Sequence, residues 1–221
     1  MKQLPLFILG LWGVVFLKCW ADGRLNILLH SIFHWLIFAT GIALILLALV
    51  GLRWLPQTGK KCSYWSIILL IITGLALILF PPRPSFSTLA ANRSNIELGD
   101  SELSFFSAPE QRSLTDWVRL INSYPDPELY AGDPVLVSGF VLATPAGPPE
   151  IARLLVRCCL ADATPVGLPV SWPKNQPWPK PDQWLQIKGV MAVESHHGAL
   201  RAVLIAKKIK QIKAPIRPLE P

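Results

Sequence analysis

The chain has 221 residues, 52% of them hydrophobic, and a formal net charge of +7. Its mean hydropathy of +0.41 is higher than an ordinary soluble domain of this size carries. The basic excess does not indicate nucleic acid, because much of it flanks apolar stretches or lies in the run Lys207, Lys208, Lys210 and Lys213. Such a run reads as a solvated strand edge or a contact to anionic lipid.

Three apolar stretches crowd the first eighty residues, predicting helices over about 3–20, 27–52 and 63–80 and a membrane segment over 1–82. The longest stretch, Leu25 to Leu52, runs between Arg24 and Arg53 with no formally charged side chain. A spanning helix needs about 20 apolar residues, because the hydrocarbon core is about 30 Å thick and backbone polar groups must be satisfied internally. The first stretch follows Lys2 and is short enough for a signal peptide, but Phe16-Leu17-Lys18-Cys19-Trp20 is too bulky for a cleavage site. Lys18 before Cys19 also spoils a lipoprotein signal, so the first helix is expected to be retained. In the second stretch His30 and His34 are four residues apart, which on one helix puts them on one face near the bilayer boundary. The connector with Arg53, Lys60 and Lys61 and no acid is the best cytoplasmic segment. A multi-pass protein of the inner, plasma membrane with an extracytoplasmic C-terminal domain follows.

A linker is expected at 83–94 and a β-rich domain at 95–221. Within it Leu114, Trp117 and Ile121 recur at helical spacing after Ser113, with Asp116 three residues on, predicting one short capped helix. Strands are expected from Val135 to Phe140, and at Ile151–Leu160, Trp184–Val193 and Leu200–Ile212. The fold class is therefore an α+β membrane protein, apolar helices followed by a mostly-β domain, with a small OB-like barrel as the expected architecture. The proline-rich Trp172–Trp184 segment reads as a stiff loop that either presents its tryptophans to a partner or folds them onto the sheet.

The most unusual local sequence is Arg157-Cys158-Cys159-Leu160-Ala161-Asp162. Adjacent cysteines in a strand point to opposite faces, so one thiol is expected in the core. The other, with Asp162, would form a divalent-metal site such as a zinc site only if His196 or His197 arrived from the later hairpin. Buried structural cysteine is the commoner outcome. Glycine loops for phosphate, G-x-S-x-G and H-E-x-x-H are absent from the sequence, so no catalytic residue is assigned and the chain is read as a non-enzyme.

Around Arg157-Cys-Cys-Leu-Ala-Asp-Ala-Thr-Pro-Val-Gly-Leu-Pro-Val170 the chain resembles the YcgQ-like family, described as subunits of a two-component membrane permease complex. The junction Pro81-Pro82 to Ala90-Ala-Asn-Arg93 and the segments Gly139-Phe140-Val141 and Trp184–Gly189 match in the same order. The family's aromatic ending after the last strand is represented only by Ala214-Pro-Ile-Arg-Pro218. The resemblance implies a membrane-anchored accessory subunit beside a polytopic permease in the lipid bilayer. The competing class is a membrane-tethered metal-binding or thiol redox protein acting through the Cys-Cys-Leu-Ala-Asp block.

Overall fold

The computed structural model describes residues 4–54, 64–80, 84–93, 107–144, 147–196 and 198–220. Lys60, Lys61 and His197 lie outside the described residues. By contacts the chain forms two units, one of residues 1–83 with 158–160 and one of residues 84–157 with 161–221.

The first unit is built from α1 (Leu4–Ala21), α2 (Leu25–Leu28), α3 (His34–Trp54) and α4 (Tyr64–Leu79). Among the described residues two helices, Leu4–Ala21 and Ser31–Trp54, are long and apolar enough to cross a membrane. The third, α4, has 16 residues, about 24 Å at 1.5 Å per residue. α1 packs on both α3 and α4 through small residues. A Cβ on Gly13 would sit 2.8 Å from the Gly41 carbonyl oxygen, so the α1 and α3 backbones approach at a distance only glycine permits. At the end of α1, Gly23 takes a positive φ of 69°, and Arg24 turns back to donate to the Leu77 carbonyl at 2.6 Å, satisfying an acceptor in the last turn of α4.

The second apolar stretch is not one helix. Leu29 is extended after α2, and His30 is extended too, its Nδ1 accepting from the Ile32 N–H ahead of a 3-10 turn at Ser31–Phe33. Only then does α3 begin, at His34, whose Nε2 lies 3.2 Å from the Leu29 carbonyl. The expectation that His30 and His34 share a helix face therefore fails: local side-chain bonds to the backbone compete with the helix and break it between them.

The second unit holds α5 (Phe86–Ala91), α6 (Leu114–Ser123) and seven strands: β1 (Pro134–Leu142), β2 (Glu150–Leu155), β3 (Thr164–Leu168), β4 (Val170–Ser171), β5 (Trp184–His196), β6 (Ala199–Gln211) and β7 (Leu219–Glu220). The sheet order is β3-β2-β1-β5-β6-β4, with β7 parallel to β2. The sheet is not closed as a barrel, which corrects the OB-like expectation. β3 pairs with β2 and β4 with β6, so the two ends of the ladder are joined only covalently, through Pro169. The fold is accordingly α+β with a mixed sheet.

α6 starts where its sequence says it should. Ser113 caps it, accepting from the Asp116 N–H while the Asp116 carboxylate accepts from the Ser113 N–H. Its buried face, Leu114, Trp117 and Leu120, packs into a core with Val137, Ile151, Leu168, Ile187 and Leu204. The segment expected as a linker includes α5. Ser85 caps that helix and donates to Asp182 Oδ2 at 2.6 Å, the Ser87 N–H donates to Oδ1 at 2.7 Å, and Phe86 rests against Phe140 and Trp184.

A buried polar network ties the chain's last residues to the sheet. Arg153 on β2, only 8% exposed, donates to the Ser138 carbonyl and hydroxyl at 2.8 and 2.9 Å and pairs with Glu220 at 3.3 Å. Its guanidinium lies over the Trp184 ring at 4.9 Å. Thr115 of α6 donates to the other Glu220 oxygen. Burial pulls the Arg153 pKa down and the Glu220 charge opposes that shift. Glu220→Ala is expected to leave a buried guanidinium without its counter-ion and to cost about 3 kcal/mol. That loss is checked as a fall in the thermal unfolding midpoint of the detergent-solubilised chain. Exposed Glu194→Ala serves as the reference, with an expected effect within about 1 kcal/mol.

Candidate functional site

β2 ends at Leu155, short of the strand expected to reach Leu160, because the chain bends immediately after it. The Val156 N–H donates to the Glu220 carbonyl at 2.9 Å, and the Arg157 N–H donates to Asp162 Oδ1 at 3.2 Å. That second bond closes a turn around the two cysteines. Cys158 and Cys159 are therefore not on opposite faces of a strand. Their sulfurs lie 3.6 Å apart, and the two thiols and the Asp162 carboxylate all fall within 4.8 Å of one another. Cys158 is exposed, while Cys159 and Asp162 are half-buried.

Two thiolates and a carboxylate are a donor set suited to a borderline or soft divalent ion, with one position of a tetrahedron left for another ligand. His196, at the end of β5, is not brought into this group, so the expected histidine ligand is not supplied from there. The hairpin that carries it turns at Gly198, whose φ of 82° suits glycine. His30 and His34 are likewise occupied locally, in capping and in a backbone contact. The strand expected to carry the two cysteines ends before them, at Leu155. Asp162 is a turn-forming residue type, but its bond back to Arg157 is visible only in the folded chain.

Of the tryptophans in the proline-rich segment, Trp184 is buried, Trp172 donates its indole N–H to the Pro149 carbonyl at 2.7 Å, and Trp178 stays exposed. Together with Leu185 and Ile209 this segment borders an open groove of about 810 Å³.

Residues 110–219 match the family model of the DUF1980 C-terminal domain. The match spans α6, the whole sheet up to Leu219 and the Cys-Cys-Leu-Ala-Asp turn. No curated protein and no solved structure matches the chain.

A second set of titratable groups lies where β2 begins. Burial pushes the Glu150 carboxyl above the usual carboxylate range, and the positive charge of Arg201 offsets part of that shift. A Cβ at Gly167 would overlap the Glu150 Oε2, so the glycine leaves the room this carboxyl occupies. Arg201 spends one nitrogen on Glu194 Oε2 at 3.1 Å, and its buried Nε has no acceptor among the described residues. With a raised folded pKa, the unfolded chain releases the Glu150 proton first as pH rises. Stability then falls between the unfolded and the folded pKa. Glu150→Gln is expected to abolish that slope. The variant should be more stable than the parent at pH 7 and should lose its advantage below about pH 4, where both states of the parent are protonated. Thermal midpoints across that pH range check it, and an advantage that persisted at low pH would point to packing instead.

Proposed function

We propose that the protein is a non-catalytic, membrane-anchored accessory subunit of a two-component permease complex, consistent with a YcgQ-like resemblance and with the DUF1980 domain at 110–219. The observation that carries the reading is the surface of the helices. Leu46, Leu47, Leu49 and Val50 on α3 and Leu69, Ile72 and Leu79 on α4 are exposed, with no charged residue in α4. Such faces need lipid or apolar helices of another protein to cover them. Among the described residues the three helices carry few polar side chains with which to line a path, so in this reading the transport route belongs to a larger partner.

In this reading all three apolar helices span the inner membrane, the basic connector is cytoplasmic and the sheet domain is extracytoplasmic. Solubilised from its native host, the chain is expected to copurify with a polytopic permease. An alkaline-phosphatase fusion at the C-terminus is expected to be active. Crosslinking of intact membranes that captured no polytopic partner would end the subunit reading, and an inactive fusion would reverse the orientation.

The convergence of Cys158, Cys159 and Asp162 within 4.8 Å favours a second reading, a membrane-tethered divalent-metal or thiol site, with zinc as the fitting ion. Its test is metal content by elemental analysis after metal-supplemented purification. Cys158→Ala and Cys159→Ala are each expected to lower bound metal at least tenfold, whereas His196→Ala is expected to leave it unchanged. Metal well below one equivalent in the folded parent protein would eliminate this reading.

A further inference from the structure

One face of the β1-β5-β6 sheet is half covered and half bare. At one end Phe140 and Trp184, paired across β1 and β5, lie beneath Phe86 of α5. Beyond that cover the strand register lines up three more rows on the same face. Ser138, Gln186 and Lys210 form the first, Leu136, Lys188 and Lys208 the second, and Pro134, Val190 and Ile205 the third. Directly opposed residues in a ladder share a face, so these rows are a surface and not a list.

The surface is arranged against its own electrostatics. Lys188 and Lys208 oppose each other directly, a like-charge pair that weakens the ladder. The register shifts at Lys188/Gly189, leaving Lys207 as the extra residue between Ala206 and Lys208. This bulge reverses the alternation along β6, so Lys208 and Lys210 come to the same face as Ile205, while Ile209 returns to the core side. Without it the two lysines would point inward. The β1 and β6 segments and residues 184–193 of β5 that build these rows contain no acid. Glu194, the next acid along β5, is already paired with Arg201. Lys188, Lys207, Lys208 and Lys210 are exposed, and their ammonium groups make no hydrogen bond or ion pair among the described residues. Leu136 and Ile205, 42% and 40% exposed, stand among them.

We propose that this lysine-bearing face docks on a bilayer surface rich in anionic phospholipid. Charge complementarity requires a dense array of negative groups, since four unpaired ammonium groups are spread over two strands and a bulge. Exposed aliphatic side chains between them match the boundary between headgroups and acyl chains better than a free aqueous anion does. The proposal rests on the membrane-anchored reading above and adds a lipid preference to it.

The test uses the full chain in nanodiscs of phosphatidylcholine, with and without phosphatidylglycerol, and reads lysine acetylation by mass spectrometry. Acetylation of Lys188, Lys208 and Lys210 is expected to slow about fivefold in the anionic discs, the factor one lysine contributes near such a surface, and to recover in high salt. In the double variant Lys188→Gln/Lys208→Gln, whose side chains stay polar and exposed, the protection of Lys210 is expected to disappear. Equal labelling in the two kinds of disc overturns the proposal while leaving membrane anchoring intact. Protection by inorganic phosphate in the neutral discs, equal to that in the anionic ones, overturns the lipid assignment in favour of a soluble anion. A chain that does not enter the discs at all overturns the anchoring and the proposal together.

Discussion

A guanidinium buried in a sheet must be given a counter-ion and acceptors, and meeting that requirement organises the second unit. Arg153 takes its acceptors from Ser138 on β1 and its counter-ion from Glu220, and Glu220 in turn accepts from Thr115 on α6. One charge therefore binds two neighbouring strands, a helix and the last described residue of the chain. Trp184 lies over the same guanidinium and carries the network on to β5 and, through Phe86, to α5. Pairs of this kind contribute little net stability compared with apolar packing, but they penalise every arrangement that leaves the charge unmatched. The β2 register and the position of the short C-terminal strand follow from that penalty.

Glu220 also shapes the cysteine turn. The Glu220 carbonyl receives the Val156 N–H, which would otherwise continue toward a longer β2, and from the next residue the chain bends under the control of Asp162. Two adjacent thiols that a strand would have separated are thereby placed 3.6 Å apart. A structural ion pair and a turn that gathers two thiols thus share one residue, Glu220.

The helices of the first unit obey a different constraint. With almost no polar groups, they are held by close approach, and Gly13 against Gly41 sets that approach. The charged groups lie at helix ends among the described residues: Asp22 pairs with Lys18 and Arg24, and Arg24 also reaches the Leu77 carbonyl. Among the described residues the unit leaves many aliphatic side chains outward, Leu46, Leu47 and Leu69 among them.

By itself the sequence determined the elements whose signals are local. The presence of apolar helices follows from the hydrophobic runs, the Ser113/Asp116 box marks the start of α6, and alternation marks β6. The distinctiveness of the Cys-Cys-Leu-Ala-Asp block was likewise legible, because composition alone makes it unusual. Only the tertiary structure decided the rest. Arg153 and Glu220 are 67 residues apart, and no periodicity links them. The break between His30 and His34 depends on side chains bonding to the backbone within an apolar run that reads as continuous. The bulge at Lys207 reverses which lysines share a face, and an open sheet looks like a barrel until Pro169 is seen to join its two ends without a ladder. Local propensity acts through the nearest few residues, whereas register, charge pairing and closure are settled by groups that meet only after the chain has folded.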